Sequence, residues 1–503
     1  MPILVCVNAT ERSPYVDLNI DNGRSALDLL CSRIQALPDT AGVVALVSPE
    51  DRRDLPGGWQ RLVLEDKAGN GERALLEALS RALEVHPEVD LLLYCAVDAP
   101  FLDGDLCSRM TEQHRRYAAE YSFADGYPGG LAPELLAPSV LPRLLQLVSD
   151  CASGLQPARD ALFQIIQRDI NSFDIETTLS DHDLRMLRIE LYCNNRRNWV
   201  LCKRLLERGA GGAAAIVDAV RSDQRVLRTL PAYAVLDVVE GSTQDVAYSP
   251  YRLFGPAGRG KQREMAVADV GRLVKDLERF SPGCVVSYGL WGEPGLHSDP
   301  VSLITSSRPC PLVIETSAVG WNHSMLERAI DSDPQRVTWI VHLDAVDEEV
   351  YRSVRGDGFA EAMRVTELLL QRVPERVYVQ TVRYRDVEQH TEPFYRYWKE
   401  RTDNVIVQKY DHFCGVLEDK RISDISPVTR FACWHLRRDL TVLVDGSVPM
   451  CREDIYAKHV AGNVLNSGVE AVWGALEPYH DQHVKGDYPS LCRNCDEYYT
   501  FNF

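Results

Sequence analysis

The hydrophobic positions of residues 1–205 alternate between short apolar runs and longer segments in which apolar residues recur with the period of a helix. The strand-like runs are ILVCVN (3–8), GVVALVS (42–48) and LLLYCAVDAPFL (91–102), and the helix-like runs are SALDLLCSRIQAL (25–37) and ERALLEALSRALEV (72–85). Strands that alternate with helices in this way predict a mostly parallel sheet covered by helices. We therefore expect residues 1–205 to form a doubly wound α/β domain.

A second alternation begins near residue 231, after a change in composition. Residues 206–230 contain the Gly- and Ala-rich run GAGGAAAIVDAV, which predicts a linker made of a hinge and a helix. The strand candidates beyond it are AVLDVVE (234–240), CVVSYGL (284–290), LVIET (312–316), VTWIVHLDA (337–345), VYVQTV (377–382) and NVIVQ (404–408). Because a helix or crossover follows each strand, the pattern predicts a partial (β/α)6 barrel over residues 231–425. Its site should lie at the carboxyl ends of the strands.

The remaining segment, residues 426–503, carries a group of cysteines that we call the cysteine module. Its members are Cys433, Cys451, Cys492 and Cys495, spaced Cys-x17-Cys-x40-Cys-x2-Cys. Alternating apolar residues before Asp445-Gly446 predict a hairpin whose returning strand brings Cys451 back towards Cys433.

These four thiols suggest a shared metal centre. The two-residue spacer between Cys492 and Cys495 lets two thiolates of one turn hold one centre. Four soft sulfur ligands suit an iron–sulfur cluster, which we expect to be [4Fe–4S], or alternatively a tetrahedral zinc ion. Buried free cysteines remain the alternative without a metal, since cysteine also packs as a small hydrophobic residue.

Composition and charge exclude some functions. The chain has 503 residues, is 45% hydrophobic and 25% charged, and carries a formal charge of −18. That charge argues against nucleic acid as the main partner, because phosphate contacts need clustered Lys and Arg. No apolar run reaches the roughly 18–20 residues that cross a bilayer. The N-terminal run MPILVCVNATERSP looks like a strand and not a secretory signal, so we expect a soluble cytoplasmic protein.

The order of motifs in the second half resembles radical S-adenosylmethionine enzymes that end in a SPASM-type auxiliary-cluster domain. The motifs are WGEPGLHSD (291–299), IVHLDAVDEEVYRSVRG (340–356), Cys-x12-Gly-x4-Cys from Cys433, and Gly462-Asn463 followed by Trp473. With its N-terminal α/β region, the chain resembles the spirochaete-type SPASM proteins over its whole length. The resemblance implies an iron–sulfur cluster on the four cysteines of the module. It also implies a pocket at Gly292, Glu293 and Pro294, which in the family line the methionine end of S-adenosylmethionine.

The chain departs from that family at the radical cluster. Active members carry Cys-x3-Cys-x2-Cys after the first barrel strand, where this chain has Ser242, Val246 and Ser249. A hydroxyl is a poor iron ligand and valine cannot bind iron at all, so the resemblance implies a degenerate member that does not cleave S-adenosylmethionine. The carboxylate of Glu293 could still accept hydrogen bonds from the ammonium group of such a ligand. The alternative to a ligand pocket is that this three-residue motif only forms a turn after a strand.

The N-terminal region resembles nucleotidyltransferases and glycosyltransferases of the GT-A kind. NGRSALDLLCSRI (22–34) and CAVDAPFLD (95–103) carry the resemblance. It implies that Asp98 could hold Mg²⁺ against nucleotide phosphates, assisted by Asp103 or Asp125. The glycine-rich phosphate loop of the family is missing after the first strand. The alternative to Mg²⁺ binding is therefore that Asp98 only caps a loop at the end of a strand.

Together these patterns favour a metal-bearing binding or scaffold protein of a modification pathway, with a nucleotide-linked or peptide substrate. One alternative is a nucleotidyl- or glycosyltransferase that uses the N-terminal domain. Another is an electron-transfer protein that uses the C-terminal cluster. The patterns leave open whether the protein is an enzyme.

Overall fold

The computed structural model describes residues 2–65, 71–148, 157, 159–254 and 260–500. It divides into two compact units, Met1–Thr229 and Leu230–Phe503. Within the described ranges, none of the helices combines the length and the apolar character that a membrane crossing requires.

The first unit is built on a seven-stranded sheet in the order β5-β4-β1-β6-β8-β7-β9. Its strands are β1 (Ile3–Ala9), β2 (Asn19–Asp21), β3 (Arg24–Ser25), β4 (Thr40–Val47), β5 (Trp59–Val63), β6 (Leu91–Ala96), β7 (Tyr121–Asp125), β8 (Glu134–Leu136) and β9 (Ile175–Leu179). Its α-helices are α1 (Ala26–Gln35), α2 (Gly71–Val85), α3 (Gly104–Arg116), α4 (Leu141–Leu147), α5 (Ala161–Ile166), α6 (Arg196–Glu207) and α7 (Ala213–Ser222).

This sheet is mostly parallel, as the sequence predicts. β1 pairs in parallel with β4 and β6, and β8 runs antiparallel to both of its neighbours, β6 and β7. Every residue of β1 is buried, which is typical of a central strand covered by helices on the two faces of a sheet. Leu4 of this strand packs with Leu75 and Leu79 of α2 in one hydrophobic cluster.

The segment expected to be a linker, residues 206–230, contains α7. Ile216 and Val220 of this helix are fully buried, and the carboxylate of Asp103 accepts a hydrogen bond from the N–H of Ala213 at 2.8 Å. The first compact unit accordingly extends to Thr229. An amphipathic helix with its apolar face covered behaves as part of the fold rather than as a spacer.

The second unit is built on a seven-stranded parallel sheet in the order β17-β16-β15-β14-β13-β10-β18. Its strands are β10 (Tyr233–Leu236), β11 (Val239–Ser242), β12 (Gly260–Glu264), β13 (Val285–Tyr288), β14 (Leu312–Thr316), β15 (Val337–His342), β16 (Val377–Arg383), β17 (Val405–Lys409), β18 (Asp439–Val442), β19 (Ser447–Pro449) and β20 (Val460–Asn463). Its α-helices are α8 (Tyr251–Phe254), α9 (Val267–Phe280), α10 (Pro300–Ser306), α11 (His323–Ser332), α12 (Glu348–Arg355), α13 (Phe359–Arg372), α14 (Glu388–Lys399), α15 (Trp434–Arg438), α16 (Val464–Ser467), α17 (Val469–Ala475) and α18 (Glu477–Val484).

The six predicted barrel strands are confirmed as β10 and β13 to β17. The cysteine module adds a seventh strand, because β18 pairs in parallel with β10 and places Leu440 beside Ala234. Val472 and Trp473 of α17 belong to the same hydrophobic core as the barrel strands. The barrel and the cysteine module therefore share one core and form one compact unit.

The predicted turn at Asp445-Gly446 is present, but the strands beside it pair elsewhere. Gly446 has a φ of 83°, and its N–H donates to the C=O of Leu443 at 2.8 Å. β19 then pairs antiparallel with β20, whereas β18 joins the barrel sheet. The edge of the barrel offers β18 a longer parallel partner than a three-residue returning strand could.

Candidate functional site

The four cysteines of the module line one small cavity. Cys433 directly precedes α15, Cys451 lies two residues after the end of β19, and Cys492 lies in a short 3-10 helix, Ser490–Asn494, that ends just before Cys495. The N–H of Cys495 donates to the C=O of Cys492 at 3.2 Å, so their two-residue spacer forms one tight turn. Each of the four is a free thiol. Residues more than 60 positions apart in the sequence are thus brought to one place.

Backbone and aromatic contacts hold the two ends of the module together around this cavity. The N–H of Trp434 donates to the C=O of Tyr498 at 2.9 Å. Arg430 donates through Nη2 to the C=O of Cys492 at 2.6 Å. Its guanidinium carbon lies 4.2 Å from the ring centre of Tyr488 and 4.7 Å from that of Tyr498. The chain before Cys433 is therefore tied to the turn that carries the last two thiols.

The electrostatics of the cavity suit a bound cation. Burial, together with the negative charge of neighbouring groups, raises the pKa of the Cys433 and Cys451 thiols well above the usual value. Burial and then the neighbouring Cys495 raise the pKa of Cys492 to about 12. Thiols in such a site ionise when a metal ion supplies the compensating charge. The four thiols fit an iron–sulfur cluster and also fit zinc, and the carboxylates of Glu453 and Glu497 line the same cavity.

The cavity is also lined by two residues that the sequence analysis did not predict to be there. Cys414 comes from the segment between β17 and the cysteine module. His483 of α18 is 2% exposed, and neither of its ring nitrogens has a hydrogen-bond partner among the residues that the structure describes. His435 also lines the cavity, but its Nδ1 lies 2.5 Å from Asp439 and its Nε2 lies 3.2 Å from Thr500. A fifth cysteine 19 residues before Cys433 is visible in the sequence, yet its distance from the others gives no signal of contact.

A second cavity, of about 150 Å³, opens at the carboxyl ends of the barrel strands. Ser242, Val246 and Ser249 line it, which is the region where the resemblance places a radical cluster. Both serine hydroxyls form hydrogen bonds with nearby backbone groups. The hydroxyl of Ser242 donates to the C=O of Gln244 at 2.8 Å, and that of Ser249 accepts from the N–H of Tyr251 at 3.2 Å. These residues do not fit an iron–sulfur cluster.

A buried polar network fixes this loop instead. Arg355 donates to Gln244 Oε1 at 3.0 Å, to the hydroxyl of Tyr248 at 2.9 Å and to Asp344 at 2.6 Å. The hydroxyl of Tyr248 lies 2.6 Å from the same carboxylate of Asp344. The side chains of the Arg355–Asp344 pair are only 5% and 1% exposed. Two loop residues are therefore clamped by an ion pair that the barrel supplies.

The Gly-Glu-Pro segment also lines the barrel cavity. Gly292 must be glycine, because a Cβ there would lie 1.6 Å from the C=O oxygen of Val239. The carboxylate of Glu293 accepts hydrogen bonds from Thr316 Oγ1 at 2.6 Å and from the N–H of Ser317 at 2.8 Å. It also accepts from the hydroxyl of Ser317 at 2.5 Å and from the N–H of Gly295 at 3.2 Å. A ligand ammonium at Glu293 would have to compete with these four donors.

Arg452 lies between the two cavities and lines both. Its Nε is 3.6 Å from the carboxylate of Glu453, which is 4% exposed. Although burial alone would lower it, the pKa of Arg452 is raised by Glu453, Glu315 and Asp411. The guanidinium group of Arg452, between the two cavities, is therefore kept in its charged form.

Three acids near this point, Asp411, Asp496 and Glu497, have oxygen atoms within 4.8 Å of one another. Basic side chains pair with two of these acids, Asp496 and Glu497. Lys409 pairs with both Asp496, at 2.9 Å, and Glu497, and Arg421 donates to Asp496 at 2.8 Å. The group is therefore an ion-pair network that ties the end of β17 to the last turn of the cysteine module.

The three acids that the sequence suggests as Mg²⁺ ligands in the first unit already have hydrogen-bond or ion-pair partners in the protein. Arg159 donates to both oxygens of Asp98, with Nη2 at 2.6 Å from Oδ2, and Asp98 is 1% exposed. Asp103 caps α3 and α7, and Asp125 accepts from the N–H of Gly126 and pairs with Arg185 at 3.0 Å. A Mg²⁺ ion at Asp98 would have to displace Arg159.

Comparisons with known proteins match two regions of the chain. A SPASM model, described as an iron–sulfur cluster-binding domain, matches residues 433–496, and a MobA-like NTP transferase domain model matches residues 17–166. An uncharacterised protein of Treponema pallidum (strain Nichols) is 35% identical over 358 residues, which cover 68% of this chain and 98% of that protein.

Two solved structures show more distant likeness. Streptococcus suis SuiB bound to S-adenosylmethionine is 13% identical with a TM-score of 0.43, covering 53% of this chain and 72% of SuiB. A cytidylyltransferase from Leptospira borgpetersenii serovar Hardjo-bovis (strain JB197) is 13% identical with a TM-score of 0.36, covering 45% of this chain and 95% of that chain.

Proposed function

Because this chain belongs to the same family as the Treponema pallidum protein and carries a SPASM iron–sulfur cluster-binding domain, we propose that it is a non-radical iron–sulfur protein. Cys433, Cys451, Cys492 and Cys495 would hold a single [4Fe–4S] cluster. The observation that carries the proposal is the convergence of these four thiols on one cavity from three separate segments. When bound, such a cluster supplies a redox-active centre that also ties the module together.

The barrel cavity would act as a binding site in this protein. Its loop offers two hydroxyls and a valine side chain where thiolates would be needed, and the hydroxyls already bond to the backbone. Glu293, Arg355 and Arg452 place charged groups around the cavity, so a polar ligand fits it better than an apolar one. We propose that the ligand is part of a nucleotide-linked or peptide substrate held near the cluster.

The transferase alternative has less support. Asp98 would need to exchange a buried ion pair with Arg159 for a metal ion before it could contact nucleotide phosphates. The loop after β1 supplies no glycine before Gly23. The matched NTP transferase domain therefore supports a shared fold in this unit, and we place the function at the cysteine centre.

Oxygen-free purification with metal and sulfide analysis tests the proposal. We expect about four iron and four sulfide per chain in the wild type, and loss of both in C433S and C451S. C31S is the matched control, because Cys31 lies on α1 in the other unit and should leave the iron content unchanged. A colourless protein with one zinc would contradict the cluster. Formation of 5′-deoxyadenosine from S-adenosylmethionine under reductant would contradict the non-radical role.

A further inference from the structure

The cysteine cavity contains one thiol more than a four-ligand centre uses. Cys414 lines the same cavity as Cys433, Cys451, Cys492 and Cys495. The turn that carries Cys414, Phe413–Gly415, packs against the short helix Ser490–Asn494, which ends just before Cys495. Cys414 approaches from the barrel side of the unit, whereas the other four belong to the cysteine module.

The backbone around Cys414 takes an unfavourable conformation that aims this thiol into the cavity. Phe413 and Cys414 have φ values of 50° and 55°, in the left-handed region that costs free energy for residues other than glycine. The carboxylate of Asp411 accepts from the N–H of Phe413 at 2.6 Å. Nδ1 of His412 accepts from the N–H of Gly415 at 2.8 Å. Two side chains thus hold the turn in place.

The same turn is anchored beside Cys495. Nε2 of His412 lies 3.3 Å from the carboxylate of Asp496, the residue that follows Cys495. Phe413 packs with Leu417 and with Ile455, four residues beyond Cys451. The position of Cys414 is therefore fixed relative to the metal site by contacts on both sides.

An independent observation indicates that the cavity holds a bound group. His483 lines it, is 2% exposed, and has two ring nitrogens without a hydrogen-bond partner in the described part of the chain. A buried imidazole normally has a partner, because burying an unpaired polar group costs free energy. A cluster with bridging sulfides would give this imidazole an acceptor.

We propose that Cys414 is a fifth sulfur ligand of this centre, able to bind the iron that Cys495 otherwise holds. This rests on the proposed function. A [4Fe–4S] cluster takes one thiolate at each of four irons, so only one of two adjacent thiols can bind a given iron. In such an exchange the Cys414 thiol would give up its proton as its sulfur became the ligand, and the released Cys495 sulfur would take up a proton. No electron is transferred in this step.

Iron and sulfide content of four variants tests the exchange, with C433S as the reference for loss of an essential ligand. C495S and C414S should each keep more than half of the wild-type iron and sulfide. The double variant C414S/C495S should fall to the level of C433S. The reduced C495S protein should show an electron paramagnetic resonance spectrum shifted from that of the wild type, because one iron has a different ligand.

Two results overturn the inference alone. One is a wild type that holds a cluster while C495S loses iron as completely as C433S. The other is a double variant that keeps as much iron as C495S. A wild type without a cluster overturns the proposed function, and the fifth ligand falls with it.

Thiol footprinting on the unmodified protein gives a second test that does not depend on folding of the variants. In the cluster-loaded chain, iodoacetamide should label Cys414 and Cys495 each in part, with a sum near one per chain. Cys433 and Cys492 should stay unlabelled until the cluster is removed. Complete labelling of Cys414 with full protection of Cys495 would overturn the exchange.

Discussion

The buried ion pair at the barrel mouth gives the sharpest stability prediction. Replacing Arg355 with methionine keeps much of its volume but removes the three hydrogen bonds to Gln244, Tyr248 and Asp344. The carboxylate of Asp344, 1% exposed, would keep the hydroxyl of Tyr248 and the N–H of Val382 as donors. Leaving one charge of a buried pair unpaired typically costs about 3–5 kcal/mol, so we expect R355M to lose about 3 kcal/mol.

A surface pair on the same helix provides the control. Arg352 lies three residues earlier on α12 and pairs with Glu348 at 2.7 Å, with side chains 58% and 61% exposed. Exposed pairs of this kind contribute about 0.3–0.5 kcal/mol, so R352M should change stability by less than about 0.5 kcal/mol. The double variant R355M/D344N, which removes the stranded charge, should recover part of the loss.

Hydrogen exchange of residues 242–250 measures the effect locally, and urea unfolding measures it globally. R355M should raise the exchange rate in this loop well above that of R352M, because the loop loses its clamp. Equal exchange in the two variants would refute the claim that a polar network holds the loop in the place of a cluster.

Two further perturbations test the packing and the electrostatics of each unit. G292A should destabilise the second unit by about 3 kcal/mol or more, because its Cβ would overlap the backbone oxygen of Val239, whereas G271A within α9 should be neutral or stabilising. If G292A unfolds at the same denaturant concentration as G271A, the close backbone approach is wrong. Burial lowers the pKa of His114 from 6.5 to about 4. Its neutral form should therefore contribute about 2–3 kcal/mol to the free energy of unfolding above pH 6.5, and this contribution should be lost as the pH falls through 4. Urea unfolding between pH 7 and 4 should show a steeper acid loss for the wild type than for H114Q, and equal slopes would contradict this assignment.

The α/β organisation of both units could be predicted from the sequence because its signal is local. Strands such as LLLYCAV and helices such as the one at 72–85 carry their period in consecutive residues. The six barrel strands could be found in the same way. The antiparallel strand β8, between β6 and β7, has only three residues and gave no comparable signal.

Two contacts between distant segments could not be predicted. β18 has the alternation of a hairpin strand, and only the three-dimensional structure shows that it extends the barrel sheet through β10. The helix α7 was expected to link domains because glycine and alanine dominate the residues before it, whereas its buried face belongs to the first unit.

At the cysteine centre, spacing predicted which four thiols would be neighbours but not the fifth. Cys414 reaches the cavity through a left-handed turn at a cysteine, a conformation that no local residue preference would suggest. Asp98 shows the opposite case. Its position after a buried strand could be predicted from the sequence, but its pairing with Arg159 could not.

Iron and sulfide analysis of the oxygen-free wild-type chain, beside a variant with Cys414 and all four module cysteines changed to serine, tests the central claim most directly. We expect about four iron and four sulfide per chain in the wild type and none in the variant. Iron that persists in the variant would place a cluster elsewhere, such as the loop at Ser249, and would contradict a cluster held by the module cysteines.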